Sequence, residues 1–239
     1  MKALTLAFQD DPRFAELKKH RDEVGGIHHV WGMDRRITPL LMEALSDTKR
    51  FRLIVTYEER RAREIVEDYR FYSRQTFYYP AKDALFYSAD IHSNNTVQER
   101  LEIFKKIAEG RPCTVVTTIE GLMDKIPSIS HIIENILTIK VGDTLQLDTF
   151  SRKLTTLGYE KTSIVETPGQ FSVRGGIIDI FSLTEECPYR VELWGDDIDS
   201  IRSFDVESQR SMERVEEFVI YPSTEMVLDD VRISKGIAK

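Results

Sequence analysis

The residues best suited to chemistry lie on short segments whose side chains alternate as they do in β-strands. In 189–194, Tyr189, Val191 and Leu193 occupy the odd positions. Because strand side chains alternate between two faces, Arg190 and Trp194 point together to the opposite face. Arg174 holds the corresponding place in 170–174. An exposed tryptophan beside arginines is the composition of a protein-binding hot spot. The alternative is an indole that folds back onto the core or covers a sheet edge.

Signals for nucleotide or metal binding are weak. The motif G-x-x-x-x-G-K-[ST] does not occur, and the segment 31–38, after the first predicted strand, has one glycine, no lysine, and Asp34 where an anion would sit. His28 and His29 are adjacent in that predicted strand, so they face opposite ways and do not chelate one ion together. We therefore predict no cofactor and no metal in this segment.

Catalytic carboxylates are not predicted either. Asp196, Asp197 and Asp199 follow Gly195 between two strands and indicate a solvated hairpin turn. Asp179 stands alone among apolar neighbours, where it could pair with a nearby arginine, and a lone carboxylate is not a catalytic set. The sequence thus predicts no catalytic residue and no enzyme activity for this segment.

One stretch leaves a second function open. Aromatic and basic residues interleave along 69–79, a composition that can stack on single-stranded nucleic acid. The alternative is a helix end followed by a strand whose aromatics pack inward. A nucleic-acid-binding or ATPase fragment of a helicase-like repair enzyme is therefore the alternative to a protein-binding module.

Composition and charge limit the class of protein. The chain has 239 residues and a net charge of −7, and residues 135–221 hold 9 Lys and Arg against 16 Asp and Glu. This acidic surplus argues against autonomous DNA binding by that region. Two distant cysteines, the lack of a secretory signal and the lack of an apolar run that could span a bilayer predict reduced thiols, a cytoplasmic location and no membrane partner.

The pattern of elements predicts an α/β fold in two domains. Over 1–134, strands and helices alternate, which predicts a parallel sheet with helices on both faces. The expected elements there are strands 27–31, 51–56, 76–79 and 114–118, and helices 38–45, 58–69 and 96–108, the last opened by a Thr96-to-Glu99 capping box.

From 135 to 221 the pattern predicts a smaller α+β domain with a mainly antiparallel sheet. It has strands at 136–141, 159–166, 170–174, 177–181, 189–194, 198–204 and 215–221, and a helix at 148–157 capped by Asp148 and stopped by Gly158. Gly175 and Gly176 permit a bulge or a close backbone approach. Residues 222–239 are weakly patterned, are expected to rejoin the first domain, and suggest a chain cut from a longer one.

Three runs point to a family. PGQFSVRGGIIDIF (168–181), PYRVELWGDDIDSIRSFD (188–205) and VESQRS (206–211) resemble the amino-terminal module of bacterial transcription-repair coupling factors, which is similar to part of the excinuclease protein UvrB. A weaker likeness continues through TVVTTIEGLMDKIP (114–127), so the resemblance covers nearly the whole chain.

The resemblance implies a function and a site. It implies that 1–134 is a degenerate P-loop, helicase-like domain and that 135–221 recruits the excinuclease protein UvrA in nucleotide excision repair. The family uses two arginines and an aromatic residue for this contact, and their motif positions here are Arg174, Arg190 and Trp194, the last often being Phe in the family. The full-length parent is expected to be an ATP- and Mg-dependent DNA translocase that also contacts RNA polymerase and double-stranded DNA.

Overall fold

The computed structural model describes residues 8, 10–23, 26–35, 37–46, 51–82 and 91–227, with the backbone alone for 91–94. The helices are α1 Pro12–Glu23, α2 Thr38–Leu45, α3 Glu59–Arg70, α4 Ile91–Ala108, α5 Ile119–Met123, α6 Ile129–Glu134 and α7 Leu147–Thr156. The strands are β1 Arg52–Thr56, β2 Thr76–Tyr79, β3 Thr114–Thr118, β4 Leu137–Lys140, β5 Glu160–Lys161, β6 Gln170–Arg174, β7 Ile177–Ile180, β8 Tyr189–Trp194, β9 Asp197–Phe204, β10 Ser211–Val215 and β11 Glu217–Ile220. The described helices include none that is long and apolar enough to cross a bilayer.

Contacts divide the chain into two compact units. The first comprises 1–82 and 111–124, and the second comprises 83–110 and 125–239. This division differs from the domain boundary at residue 134 that the sequence predicts, because α4 and α6 fall in the second unit. The tail also differs from expectation, since Val227 lies in the core of the second unit. The rest of the tail, 228–239, lies outside the described residues.

The first unit contains a parallel sheet in the order β1-β3-β2. Helix α3 is amphipathic, and its Ala62 and Val66 pack against Tyr78 and Val116 of the sheet. Outside this core, Arg63 Nε and Glu59 Oε1 form an exposed ion pair at 2.8 Å, and the Arg63 guanidinium lies over the ring of Tyr78. The predicted parallel arrangement is therefore present, while the helicase-like character of this unit stays a prediction.

The second unit is built on a six-stranded sheet in the order β10-β9-β8-β7-β6-β5. Strands β6 to β10 are antiparallel, and β5 pairs parallel to β6. A separate antiparallel pair joins β4 to β11. One face of the large sheet forms the core with the buried residues Leu154 of α7, Phe171, Ile178, Val191 and Ile201. The predicted mixed α/β content, with a mainly antiparallel second sheet, is confirmed.

Two predicted helix starts were wrong. Helix α4 begins at Ile91, so the Thr96-to-Glu99 pattern lies inside the helix and is not its capping box. Helix α7 begins at Leu147 with Gln146 at the N-cap, and Asp148 lies in its first turn, where its charge interacts favourably with the positive end of the helix dipole.

Several observed strands also differ from the predicted ones. Residues 27–31 form no strand, because no neighbouring strand pairs with them within the described residues, and both His28 and His29 are exposed. The strand expected over 159–166 is only Glu160–Lys161. The strand expected over 215–221 is divided at Glu216, so that β10 and β11 belong to different sheets.

Candidate partner-binding face

Two tight hairpins determine which side chains share the outer face of the six-stranded sheet. Arg174 pairs with Ile177, which leaves Gly175 and Gly176 as a two-residue turn between β6 and β7. Trp194 likewise pairs with Asp197 across a two-residue turn from β8 to β9. The first residue of each turn is a glycine with positive φ, +61° at Gly175 and +65° at position 195, as such hairpin turns require.

The register of β7 brings one carboxyl group between two arginines. Asp179 lies directly opposite Arg190 on β8, and both share the outer face with Arg174 of β6. Arg174 Nη2 donates to Asp179 Oδ2 at 2.6 Å. Arg190 donates through Nε to Oδ1 at 2.7 Å and through Nη2 to Oδ2 at 2.9 Å. The arginine partner predicted for Asp179 is thus present twice.

Burial differs sharply within this cluster. The side chain of Asp179 is fully buried, that of Arg190 is 14% exposed, and that of Arg174 is 47% exposed. Hydrogen bonding to Asp179 is the main cause that raises the pKa of Arg190. Two guanidinium groups share one carboxylate, so the cluster retains a positive charge, and Arg174 presents the more accessible part of it.

Arg190 has two further contacts that fix its position. Its guanidinium lies over the ring of Phe204, 4.6 Å from the centroid, in cation–π geometry. Its Nη1 donates to the backbone carbonyl of Gln209 at 3.2 Å. All three guanidinium nitrogens of Arg190 therefore have an acceptor inside the domain.

Gln209 is a supporting residue that the sequence patterns did not single out. Its backbone has φ +56°, in the left-handed region, and its side-chain amide donates to the carbonyls of Val165 and Val206 at 3.1 and 2.9 Å. These bonds hold the unusual backbone conformation that directs the Gln209 carbonyl to Arg190. The one signal in the sequence is its place in the VESQRS run, which carries part of the family resemblance.

Trp194 lies at the end of β8 and is 85% exposed. Strand β8 keeps its alternation, because Val191 is in the core while Tyr189 and Leu193 pack against it. An extra residue interrupts the ladder beside Leu193, but it belongs to β9. Arg190 and Trp194 are consequently on the same outer face, and the indole does not fold back onto the core.

Backbone contacts fix the hairpin that carries Trp194. Gly176 accepts a hydrogen bond from the Leu193 amide at 2.8 Å, and a Cβ added to Gly176 would lie 3.1 Å from the Leu193 carbonyl oxygen. On the other side, the Leu145 amide donates to the Asp196 carbonyl at 2.6 Å. The close approach expected at Gly176 is therefore real, and it couples the two hairpins.

The other chemical candidates form no site. Asp196, Asp197 and Asp199 are exposed at or after the turn, as predicted. Across the residues that the structure describes, no group of three or more His, Cys, Asp and Glu could hold a metal ion. Cys113 is buried and Cys187 is partly exposed, and burial raises the pKa of the Cys187 thiol.

The aromatic and basic stretch 69–79 mostly supports the first unit. Tyr69, Tyr78 and Tyr79 are buried, whereas Phe71 is exposed. The Tyr69 hydroxyl donates to Glu43 Oε2 at 2.8 Å, and burial is the main cause that raises its pKa to about 12. The aromatics that would stack on bases are therefore largely committed to packing.

Comparisons with known proteins agree with the resemblance seen in the sequence. Residues 137–226 match the family described as the UvrB interaction domain. A transcription-repair-coupling factor of Staphylococcus aureus (strain USA300) is 30% identical over 236 residues, which is 98% of this chain and 20% of the relative. That of Bacillus subtilis (strain 168) is 29% identical over 225 residues, 90% of this chain and 19% of the relative.

The chain thus spans about one fifth of the length of these curated relatives. The match runs through nearly all of the chain, both units included, so the resemblance predicted from the sequence is confirmed. Residues 137–226 thus match the UvrB interaction domain family, and the chain is similar over nearly its whole length to part of the transcription-repair-coupling factors.

Proposed function

We propose that this chain is a protein-interaction module that recruits the excinuclease protein UvrA in transcription-coupled nucleotide excision repair. The contact surface is the outer face of the six-stranded sheet, through Arg174, Arg190 and Trp194. The observation that carries the proposal is the 85% exposed indole of Trp194 on the same sheet face as an arginine cluster with surplus positive charge.

The three residues have different roles in this proposal. Trp194 supplies apolar area that is largely solvated in the free chain, and a tryptophan at the centre of an interface contributes about 2 kcal/mol or more. Arg174 has an accessible guanidinium that can bind a partner carboxylate. Arg190 is a positioning residue, because its nitrogens are already bonded within the domain and its charge adds to the local potential.

The full-length parent is proposed to couple transcription to repair, as the name of the relatives indicates. It would be an ATP-dependent translocase that contacts RNA polymerase and double-stranded DNA, with this module delivering the excision machinery. The alternative of a nucleic-acid-binding or ATPase fragment has less support, because three of the six aromatic residues of 69–79 are buried and one, Phe71, is exposed.

The test is the affinity of the whole chain for purified UvrA, measured by isothermal titration or biolayer interferometry. Trp194→Ala and Arg174→Glu are each expected to weaken binding at least tenfold, about 1.4 kcal/mol. Trp31→Ala is a matched control, because Trp31 is also 85% exposed but lies in the first unit, outside the UvrB interaction domain. Equal binding by wild type, Trp194→Ala and Arg174→Glu would exclude this surface.

A further inference from the structure

The outer sheet face carries more arginines than the three proposed contacts. Residues directly opposite each other in an antiparallel sheet share a face. Asp179 is opposite Arg190, Arg190 is opposite Arg202 of β9, and Arg202 is opposite Arg214 of β10. One row of the sheet therefore reads Asp, Arg, Arg, Arg from β7 outward to the edge strand β10.

Only the first arginine of this row is neutralised. Arg190 binds Asp179, whereas Arg202 and Arg214 form no ion pair with any residue in the described part of the chain. Arg202 is half-buried and Arg214 is exposed. Like charges directly opposite each other destabilise a sheet. The row is thus an arrangement that folding alone does not favour.

The charge of the face contrasts with that of its surroundings. The row and the adjacent Arg174 bring four guanidinium groups to this face. The carboxyl groups nearest the row are those of Asp179 and Glu192, whereas Asp197 lies at the far end of β8 opposite Trp194 and Glu160 lies on the edge strand β5. Residues 135–221 as a whole are acidic. Glu192 is itself engaged, since it accepts a hydrogen bond from Ser200 at 2.7 Å. The positive charge is consequently confined to a stripe.

We infer that Arg202 and Arg214 extend the binding surface to the sheet edge and that the stripe binds an acidic segment of the same partner, UvrA. This inference depends on the proposed function. Neighbouring strands are about 4.8 Å apart, so the row places a cation about every 5 Å. Carboxylates three or four residues apart on a helix have similar spacing, about 5–6 Å. Charge and spacing therefore both fit an acidic helix face.

The same geometry disfavours a nucleic-acid backbone as the occupant. A phosphate chain is longer than the stripe and would meet the acidic surface around it, since residues 135–221 carry 16 Asp and Glu against 9 Lys and Arg and since Asp196 and Asp197 are exposed on the β8–β9 hairpin. A short protein segment can end at the stripe. We therefore commit to the acidic protein segment, and DNA binding becomes an outcome that the test can reveal.

The test compares charge variants of the full chain in binding to purified UvrA at low and moderate salt. Arg214→Glu is expected to weaken binding roughly tenfold and to reduce the salt dependence. Arg202→Gln is expected to weaken binding about threefold to fivefold, since it removes one charge of the row. The control is Arg152→Glu, which changes charge identically at an exposed position of α7, a helix that packs on the opposite sheet face through Leu154.

Three outcomes separate this inference from the proposed function. If Trp194→Ala and Arg174→Glu weaken binding while Arg214→Glu and Arg202→Gln bind as wild type does, the proposed function stands and the stripe is excluded. If the wild type does not bind UvrA, both fail. If the wild type binds a fluorescent DNA duplex and Arg214→Glu abolishes it, the acidic segment is the wrong occupant.

A stability measurement completes the test. The thermal midpoint of Arg214→Gln should equal or exceed that of the wild type, because the substitution relieves repulsion at an exposed site and removes no ion pair with the described residues. A clear fall in the midpoint would show that Arg214 supports the fold, and it would contradict a row retained for binding.

Discussion

The outer face of the sheet contains two regions built on opposite principles. Around Asp179, three short hydrogen bonds from two arginines surround a fully buried carboxyl group. A few residues along β8, the Trp194 side chain is 85% exposed, and it makes no ring contact within the described residues. The first region holds its parts rigidly, and the second leaves apolar area in water.

The difference indicates how stability and binding are divided over one surface. A buried charge pair costs desolvation, and its geometry must be nearly ideal to compensate. The cluster meets this condition, so its arginines are ordered before a partner arrives and lose little side-chain entropy on binding. The indole contributes little to the free energy of unfolding, but its burial against a partner would remove a large apolar area from water.

The largest effect on folding is expected from Asp179→Ala. The substitution leaves the mostly buried Arg190 without its carboxylate and brings two guanidinium groups together without a counter-charge. Removing one partner of a buried ion pair typically costs about 3–5 kcal/mol of unfolding free energy. Urea unfolding followed by circular dichroism measures this loss.

Asp199→Ala is the control for that experiment. Asp199 is an exposed aspartate of β9 in the same sheet, and its side chain makes no hydrogen bond or ion pair with the described residues. Its removal should leave the unfolding midpoint nearly unchanged. Equal losses for Asp179→Ala and Asp199→Ala would contradict the contrast between the two regions.

How far the sequence predicts this surface depends on whether local rules suffice. The alternation of 189–194 and the turn glycines predict the exposed position of Trp194, because period-2 patterning and hairpin chemistry act over neighbouring residues. The same rules predict β2, β3, β6 and β8 with the bounds observed. Such features follow from local sequence alone.

Other features depend on pairing between distant segments. The contact of Gln209 with Arg190 and the row through Arg202 and Arg214 require the register of β9 and β10, which includes a shift between Ser211 and Arg214. No short-range pattern encodes that shift. For the same reason, the assignment of α4 to the second unit is not predictable from the alternation of helices and strands.

A smaller effect on folding is expected from substitutions at the two glycines of the β6–β7 turn, Gly175 and Gly176. Gly175→Asn should cost about 1 kcal/mol through backbone strain at φ +61° alone, because no atom lies within 4 Å of an added Cβ. Gly176→Asn should cost about 1–3 kcal/mol, because its Cβ would press on the Leu193 carbonyl. Chemical unfolding of both variants provides the measurement.

The Gly175→Asn and Gly176→Asn variants should also differ in their binding to UvrA. Displacement of Leu193 moves the neighbouring Trp194, so Gly176→Asn should weaken the contact with UvrA while Gly175→Asn leaves it intact. Identical behaviour of the two variants would indicate that the approach of Gly176 to Leu193 does not couple the hairpins.

A weaker, pH-dependent effect is expected in the turn that carries Gln209. Side-chain and backbone hydrogen bonds from Ser208 lower the pKa of Asp205 below its ordinary value of 3.8. A group with a lowered folded-state pKa stabilises the fold above its unfolded pKa and loses that contribution as the pH falls through the folded value. The turn should therefore be intact above pH 3.8 and loosen below it.

The amide resonance of Ser208 reports this titration directly, because its N–H donates to Asp205 Oδ1 at 2.9 Å. Its chemical shift should change with a midpoint below 3.8 in the wild type and show no such step in Asp205→Asn. A midpoint above 3.8 would mean that the hydrogen bonds do not favour the charged form of Asp205.

The smallest effect on folding is expected from Trp194→Ala, and this makes it the sharpest test of the comparison. Surface substitutions away from packed features usually change the unfolding free energy by less than about 0.5 kcal/mol. Trp31→Ala, at an equally exposed tryptophan of the first unit, should behave alike in unfolding. A loss above about 1 kcal/mol confined to Trp194→Ala would show that the indole stabilises the sheet, and any accompanying loss of binding would then follow from a damaged fold.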